Sequence, residues 1–344
     1  MKGIRNLVGR LAGAAVAVAL SAGAAQAADA LPLKFTLDWK FEGPLAAFLL
    51  ADQKGYFKAE GLDVTIDSGN GSAGAMNRVA SGAYDIGVAD INALIDFNAK
   101  NPAQAMKAVY MFYNQPPYAI FALKKSGIKT PADLKGKKIG APGFDAARKA
   151  WPAFAAKTGL GADDVAWVSM DPPLREPMLI RGDVDAISGF YFTSMLNLNG
   201  AGVKAEDLNV LSYSEEGVAV YGNAIIASPK LVAGHPEAVK GFLKAVTKGI
   251  QDTIADPPAS IQYIKKRDPL IDEEVELKRL KMALKANVVT ADVKADGLGA
   301  IREDRMKAAI AEVVAAFGLP ATPAVAEVFD ASFLPPAADR KVAP

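Results

Sequence analysis

Apolar and polar positions alternate along the first third of the chain in a repeating order of short strand and longer helix. Leu33 to Leu37 is a strand-like run ending at Asp38-Trp39. From about Pro44, Leu45, Phe48, Leu49 and Phe57 recur at roughly helical spacing, and Gly61 closes that stretch. Asp63–Asp67, Asp85–Ala89 and Met106–Phe112 read as further strands, separated by helices reaching Val79 and spanning Asn92–Lys100. The order then restarts. Tyr118–Leu123, Lys137–Gly140, Val165–Ser169, Val184–Ile187 and Asn209–Ser212 predict strands, with a helix over about Asp145–Thr158. Asn223–Ala227 is a strand that leads the chain back. Beyond it Val239, Phe242, Val246, Ile250 and Ile254 form one amphipathic stripe, and Met306, Ile310, Val313, Val314 and Phe317 form another. Gly318 and Pro320 close the second, Asp272-Glu273-Glu274 opens a helix, and Pro335–Pro344 reads as loose.

Alternation of strand and helix predicts an α/β fold with mostly parallel sheets. A chain that enters a second unit and returns makes two lobes, joined by two crossing strands, with a cleft between them. The boundaries so read are 28–121 plus 222–344 for lobe 1 and 122–221 for lobe 2. Clefts between domains are preferred sites for small molecules.

The first 27 residues have another pattern. Lys2, Arg5 and Arg10 precede the uncharged run Leu11–Leu20, and Ala25-Gln26-Ala27 fits a small-x-small cleavage site. These features predict an export signal, 1–27, and a periplasmic mature protein. The apolar run is shorter than the ~20 residues a spanning helix needs.

Composition narrows the chemistry. The 344 residues include no cysteine and one histidine, His235, which reads as a surface residue at a helix entry. Disulfide scaffolds, thiolate metal sites and thiol nucleophiles are therefore excluded, and no metal site or catalytic residue is assigned. Lysine plus arginine number 39 against 38 aspartates plus glutamates, so no overall field draws in nucleic acid.

Candidate ligand contacts lie after the strands, where open α/β sheets bind ligands. Trp39 either stacks on a planar ligand or packs between strand and helix. Asp38 either accepts from a ligand amine or caps a helix, with Glu42 a lesser candidate. Gly69-Asn70-Gly71-Ser72-Ala73-Gly74 opens a helix, and its backbone, with Asn70 and Ser72, favours a polar acceptor or anion. It also spells G-x-G-x-x-G, with Asp90 in the place of a ribose-binding acid. An exported chain gives that dinucleotide pattern poor context, and no cofactor is expected. Asp90 and Asn92 lie at the same sheet edge, and Tyr113, Asn114 and Tyr118 beside the first crossing. In lobe 2, Gly143, Phe144 and Asp145 precede a helix, and Arg148, one turn in, suits an anion. Phe190 and Tyr191 belong to the aromatic run Gly189–Phe192, in which alternation sends Phe190 and Phe192 to one side and Tyr191 to the other.

Thr36–Ile66, with Lys54-Gly55-Tyr56-Phe57 and Glu60-Gly61-Leu62-Asp63-Val64, resembles the opening of periplasmic substrate-binding proteins of ABC importers. The similar branch serves nitrate, taurine, alkanesulfonates and thiamine-pyrimidine precursors. Ser81-Gly82-x-Tyr84-Asp85-Ile86-Gly87 and Ile128–Gly140 match further blocks of that family. The resemblance implies a two-lobe periplasmic binding protein of type II, a monomer that closes on one small ligand and delivers it to membrane permease and ATPase subunits. Asp38-Trp39 after a strand is typical of the pyrimidine-precursor members. There proline, asparagine and a histidine usually follow, whereas Lys40 to Pro44 stand here. The aromatic residues suggest a planar ligand, while Arg148 and two helix starts keep a sulfonate, taurine or nitrate open. Pyrimidine-synthesising enzymes share the fold and resemble a cysteine- and histidine-using pattern absent here. An extracytoplasmic sensor is the other alternative.

Overall fold

The computed structural model describes residues 30–342; the expected export signal lies outside them. Among the described residues, ten strands build two five-stranded sheets. The first contains β1 (Leu31–Thr36), β2 (Leu62–Asp67), β3 (Ile86–Asp90), β4 (Lys107–Met111) and β10 (Asn223–Ala227). Its order is β2-β1-β3-β10-β4. The second contains β5 (Tyr118–Leu123), β6 (Lys138–Ala141), β7 (Ala166–Ser169), β8 (Ala186–Phe190) and β9 (Leu208–Ser212), in the order β7-β6-β8-β5-β9. Strands linked through helices run parallel. The two strands reached by crossing between lobes, β5 and β10, run antiparallel to both neighbours.

The longer helices are α1 (Ala46–Gln53), α2 (Ser72–Ala80), α3 (Ile91–Lys100), α4 (Trp151–Thr158), α5 (Arg175–Arg181), α6 (Tyr191–Gly200), α7 (Pro236–Ala255), α8 (Pro257–Arg267), α9 (Glu273–Ala283) and α10 (Glu303–Phe317). Local chemistry sets their ends. Asp90 accepts from the backbone N–H groups of Asn92 and Ala93 and so caps α3. Left-handed Gly55 (φ 75°) separates α1 from a one-turn helix at Tyr56–Ala59, dividing the stretch expected from Pro44. Pro152 lacks an N–H and divides the expected Asp145–Thr158 helix into the turn Ala146–Lys149 and α4.

Two expectations need correction. The boundary read at 121/122 falls inside β5, and all of β5 belongs to the second sheet; the chain crosses earlier, between Met111 and Tyr118. The stretch from Pro335 is not loose over the described residues. Arg340 is buried and donates to the carbonyls of Pro335 (2.8 Å), Leu298 (2.7 Å) and Asp296 (3.3 Å), which docks the segment against lobe 1.

The crossings are clamped together. From the start of α10, Arg305 donates to the Asn114 side chain (2.9 Å), the Asn114 carbonyl (2.8 Å) and the Val220 carbonyl (3.3 Å). Its guanidinium lies over the Tyr221 ring at 3.9 Å. One side chain thus ties the outgoing segment to the returning one. Along the rear of the cleft α10 packs against α3 of lobe 1 and α4 of lobe 2. Ile310, Val313 and Met306 join Leu94, Ile95 and Phe154 in one apolar cluster spanning both lobes.

Candidate functional site

The cleft is built from chain that leaves the strands of both sheets. After β1, Leu37 still pairs with Asp67, and Asp38 and Trp39 then turn across the sheet edge. Their carbonyls accept from Gly71 (2.6 Å) and Gly69 (2.9 Å), which knits the loop after β1 to the loop after β2. Gly69 approaches the Leu37 carbonyl so closely that a Cβ would collide with it. Gly71 has φ 127° and faces the Phe144 ring of lobe 2. Close backbone approach within the chain therefore accounts for these glycines of the G-x-G-x-x-G pattern.

An inner cavity of about 50 Å³ lies between the lobes. Of the candidate residues named from the sequence, Asp38, Trp39, Ser72, Tyr113, Phe144, Asp145 and Phe190 line it. Glu42, Arg175, Phe192 and Thr193 line it too. Trp39, Glu42, Arg175 and Thr193 continue into a front mouth of about 410 Å³. Ser72, Phe144 and Ala146 continue into a rear recess of about 140 Å³. The walls are aromatic. Tyr113 meets Phe190 at 6.4 Å and Phe192 at 6.0 Å between ring centres, both edge-on. Phe190 ends β8 and Phe192 lies in the first turn of α6. They share a side although the chain is already helical there.

The polar groups are mostly acceptors. Asp38 is buried and accepts from the Asn223 amide (2.6 Å). Burial pushes its carboxyl up to about 7, against the opposing pull of that hydrogen bond. Asp145 caps Ala146–Lys149 through the Arg148 N–H, and burial raises its carboxyl while Arg175 opposes the rise. Arg175 is committed to Glu176 through Nε (3.0 Å) and Nη2 (2.8 Å), with Asp145 3.7 Å away. Glu42 accepts from the Trp39 indole (3.1 Å) and the Thr193 hydroxyl (3.1 Å), and it pairs with Arg279 of α9 at 2.6 Å.

The other candidates lie outside the inner cavity. Asp90, Asn92 and Tyr118 form a buried cluster behind it: the Tyr118 hydroxyl donates to Asp90, and Asn92 donates to the Tyr118 oxygen and the Tyr221 carbonyl (2.7 Å). Burial lifts the Asp90 carboxyl to about 8. Asn114 is held by Arg305 and Thr290 at the crossing. Arg148 donates to the Ala141 carbonyl and the Ser169 hydroxyl and stacks on Trp167, which directs it onto its own lobe. Tyr191 stacks on Phe121 and is exposed, while Asn70 and Gly143 are exposed and do not line the cavity. Arg175 and Thr193 went unread because no local pattern marks them. Each sits early in a helix of the second lobe, and only the fold aims it at the cleft.

The model of the family described as NMT1/THI5 like matches residues 44–260. The chain belongs to that family. Proteins similar to this NMT1/THI5-like chain include a 4-amino-5-hydroxymethyl-2-methylpyrimidine phosphate synthase of Aspergillus parasiticus. It is 26% identical over 255 residues, 72% of this chain and 73% of the synthase. The riboflavin-binding protein RibY of Chloroflexus aurantiacus is 28% identical over 225 residues, 64% of this chain and 62% of its own. Among solved structures, the alkanesulfonate-binding protein SsuA from Xanthomonas axonopodis pv. citri superposes with a TM-score of 0.66 at 18% identity. That match covers 88% of this chain and 99% of SsuA. The periplasmic nitrate-binding protein NrtA from Synechocystis gives 0.65 at 14% identity, covering 89% and 87%. The NMT1/THI5-like chain therefore has the two-lobe periplasmic binding protein fold of ABC-importer solute-binding proteins. No described helix is long and apolar enough to cross a membrane.

Proposed function

We propose that this protein is the extracytoplasmic solute-binding component of an ABC importer. It closes as a monomer on a small planar heteroaromatic ligand bearing N–H donors. The observation that carries this reading is the balance of groups in the cleft. Five aromatic side chains, Trp39, Tyr113, Phe144, Phe190 and Phe192, surround the carboxylates of Asp38, Glu42 and Asp145. The one lining cation, Arg175, is already spent on Glu176. A ring could lie against these walls and donate to Asp38, whereas a nitrate or sulfonate would meet carboxylate oxygens without a free guanidinium. The names of the synthase and riboflavin-binding relatives, a pyrimidine and a flavin, fit such a ring. Closure requires that ligand bind the closed form more tightly than the open one, and contacts to both lobes supply that difference.

Thermal unfolding of the chain lacking residues 1–27, against a small-molecule panel, tests this directly. The panel holds 4-amino-5-hydroxymethyl-2-methylpyrimidine, riboflavin, taurine, an alkanesulfonate and nitrate. Ligand at a hundred times its dissociation constant adds ~2.7 kcal/mol of stability. A shift with a heteroaromatic compound, unchanged on recovery, supports the reading, and Trp39→Ala should abolish it. A shift with only the anions, or chemical conversion of the pyrimidine, overturns it.

A further inference from the structure

The two edges of the cleft are held shut by different kinds of contact. At the front, Glu42 of lobe 1 accepts from Thr193 of α6 in lobe 2 (3.1 Å). Arg279 of α9 pairs with Glu42 (2.6 Å) and Glu276 (3.4 Å), and reaches across to the Asn197 side chain of α6 (3.2 Å). Glu276 in turn accepts from the Gly43 N–H (2.6 Å), which fixes the Glu42 backbone beside it. Arg279 is buried, yet its Nε finds no acceptor. A guanidinium held in this way is incompletely satisfied when the cleft is shut and regains water when it opens. At the rear, α10 lies against α3 and α4 through apolar side chains, which gain nothing from water.

We propose that Glu42, Arg279, Thr193 and Asn197 form a latch, so that the cleft opens at its front edge while the rear edge stays packed. Glu42 is its positioning residue. One carboxylate oxygen holds the Trp39 indole N–H and the other takes the bond from lobe 2. The orientation of the ring that walls the ligand site is thereby coupled to whether the lobes are shut. This rests on the proposed ligand site only in giving closure a purpose, since the latch itself is a property of the unliganded chain.

The absence of cysteine allows clean labelling. One spin-labelled pair, Lys40→Cys with Ala201→Cys, spans the front mouth. A second, Lys100→Cys with Lys149→Cys, spans the rear recess. In unliganded protein, Thr193→Val and Asn197→Leu should each shift the front distances to longer values and leave the rear distances in place. Thr193→Ser, which keeps the hydroxyl, should restore the wild-type front distribution. Unchanged front distances in both Thr193→Val and Asn197→Leu would overturn the latch, and so would lengthening of both pairs together. A panel in which no compound binds would sink the ligand reading without altering any of these distances.

Discussion

The front and rear edges of the cleft join the same two lobes with different chemistry. The front edge combines a network of one guanidinium, two carboxylates, a hydroxyl and an amide with the packing of Met282 of α9 against the apolar cluster of lobe 2. The rear edge is a helix packed on both lobes through aliphatic and aromatic side chains, with one partly exposed ion pair, Lys157 to Glu312 at 3.2 Å. Hydrogen bonds to charged groups, such as the two that cross this edge, exchange with water at a net cost of ~1.5–3 kcal/mol each. Exposing apolar surface costs ~25 cal/mol per Å² with nothing recovered. Edges so composed differ in how readily they part, and in the proposed latch the direction of opening follows from that composition.

Substitutions separate the two edges. The largest effect is expected from Arg279→Met, which strands Glu42 and Glu276 in a buried setting. Removal of one partner from a buried ion pair costs ~3–5 kcal/mol, read by denaturant unfolding. The rear counterpart is Ile310→Ala, expected to cost ~2–5 kcal/mol through the cavity it leaves. It should lower stability without selectively lengthening the front distances, and a selective front opening would contradict the contrast.

The third effect depends on pH. Burial holds the carboxyls of Asp38, Asp90 and Glu276 at about 7, 8 and 7, above their ordinary values. The folded chain keeps protons that the unfolded chain releases from about pH 4 upward. The stability from these groups is therefore fully present below about pH 4 and is lost as pH rises toward 8. Unfolding midpoints taken across that range should fall as pH rises, and Asp90→Asn should flatten the slope. A rising midpoint would refute the assignment. Smallest in stability is Thr193→Val, at ~1.5–3 kcal/mol for one hydrogen bond to a carboxylate, although it should produce a clear change in front-edge spacing.

How much of this was legible in the sequence depends on the range of the interaction involved. Strands such as Asn223–Ala227 and Tyr118–Leu123 announce themselves, because a buried strand needs a continuous apolar run and turn residues to bound it. Asp38 and Trp39 were legible as residues at the cleft because a strand end is a local feature. Asp90 and Asn92 shared that signal, but Asp90 caps its own helix and Asn92 turns to Tyr118 and Tyr221. Arg148 looked free one turn into a helix, yet Trp167 and Ser169 from a neighbouring strand absorb it. Arg279 lies far along the chain in a charged helix, where nothing nearby distinguishes it from the surface residues around it. Its pairing with Glu42 exists only once α9 has returned to lobe 1 and met α6.

The Arg305 clamp bears on the order in which the molecule is completed. Every strand of both sheets precedes Arg305 in the chain, so a polypeptide emerging from its amino end finishes both sheets before the group that fastens its crossings exists. Until α10 arrives, the two crossings are joined by backbone bonds such as Gly222 N–H to the Tyr113 carbonyl (3.0 Å) but lack the guanidinium that clamps them from the side. A late-made helix thus adds a side-chain clamp to a joint whose backbone pairing is supplied by earlier residues.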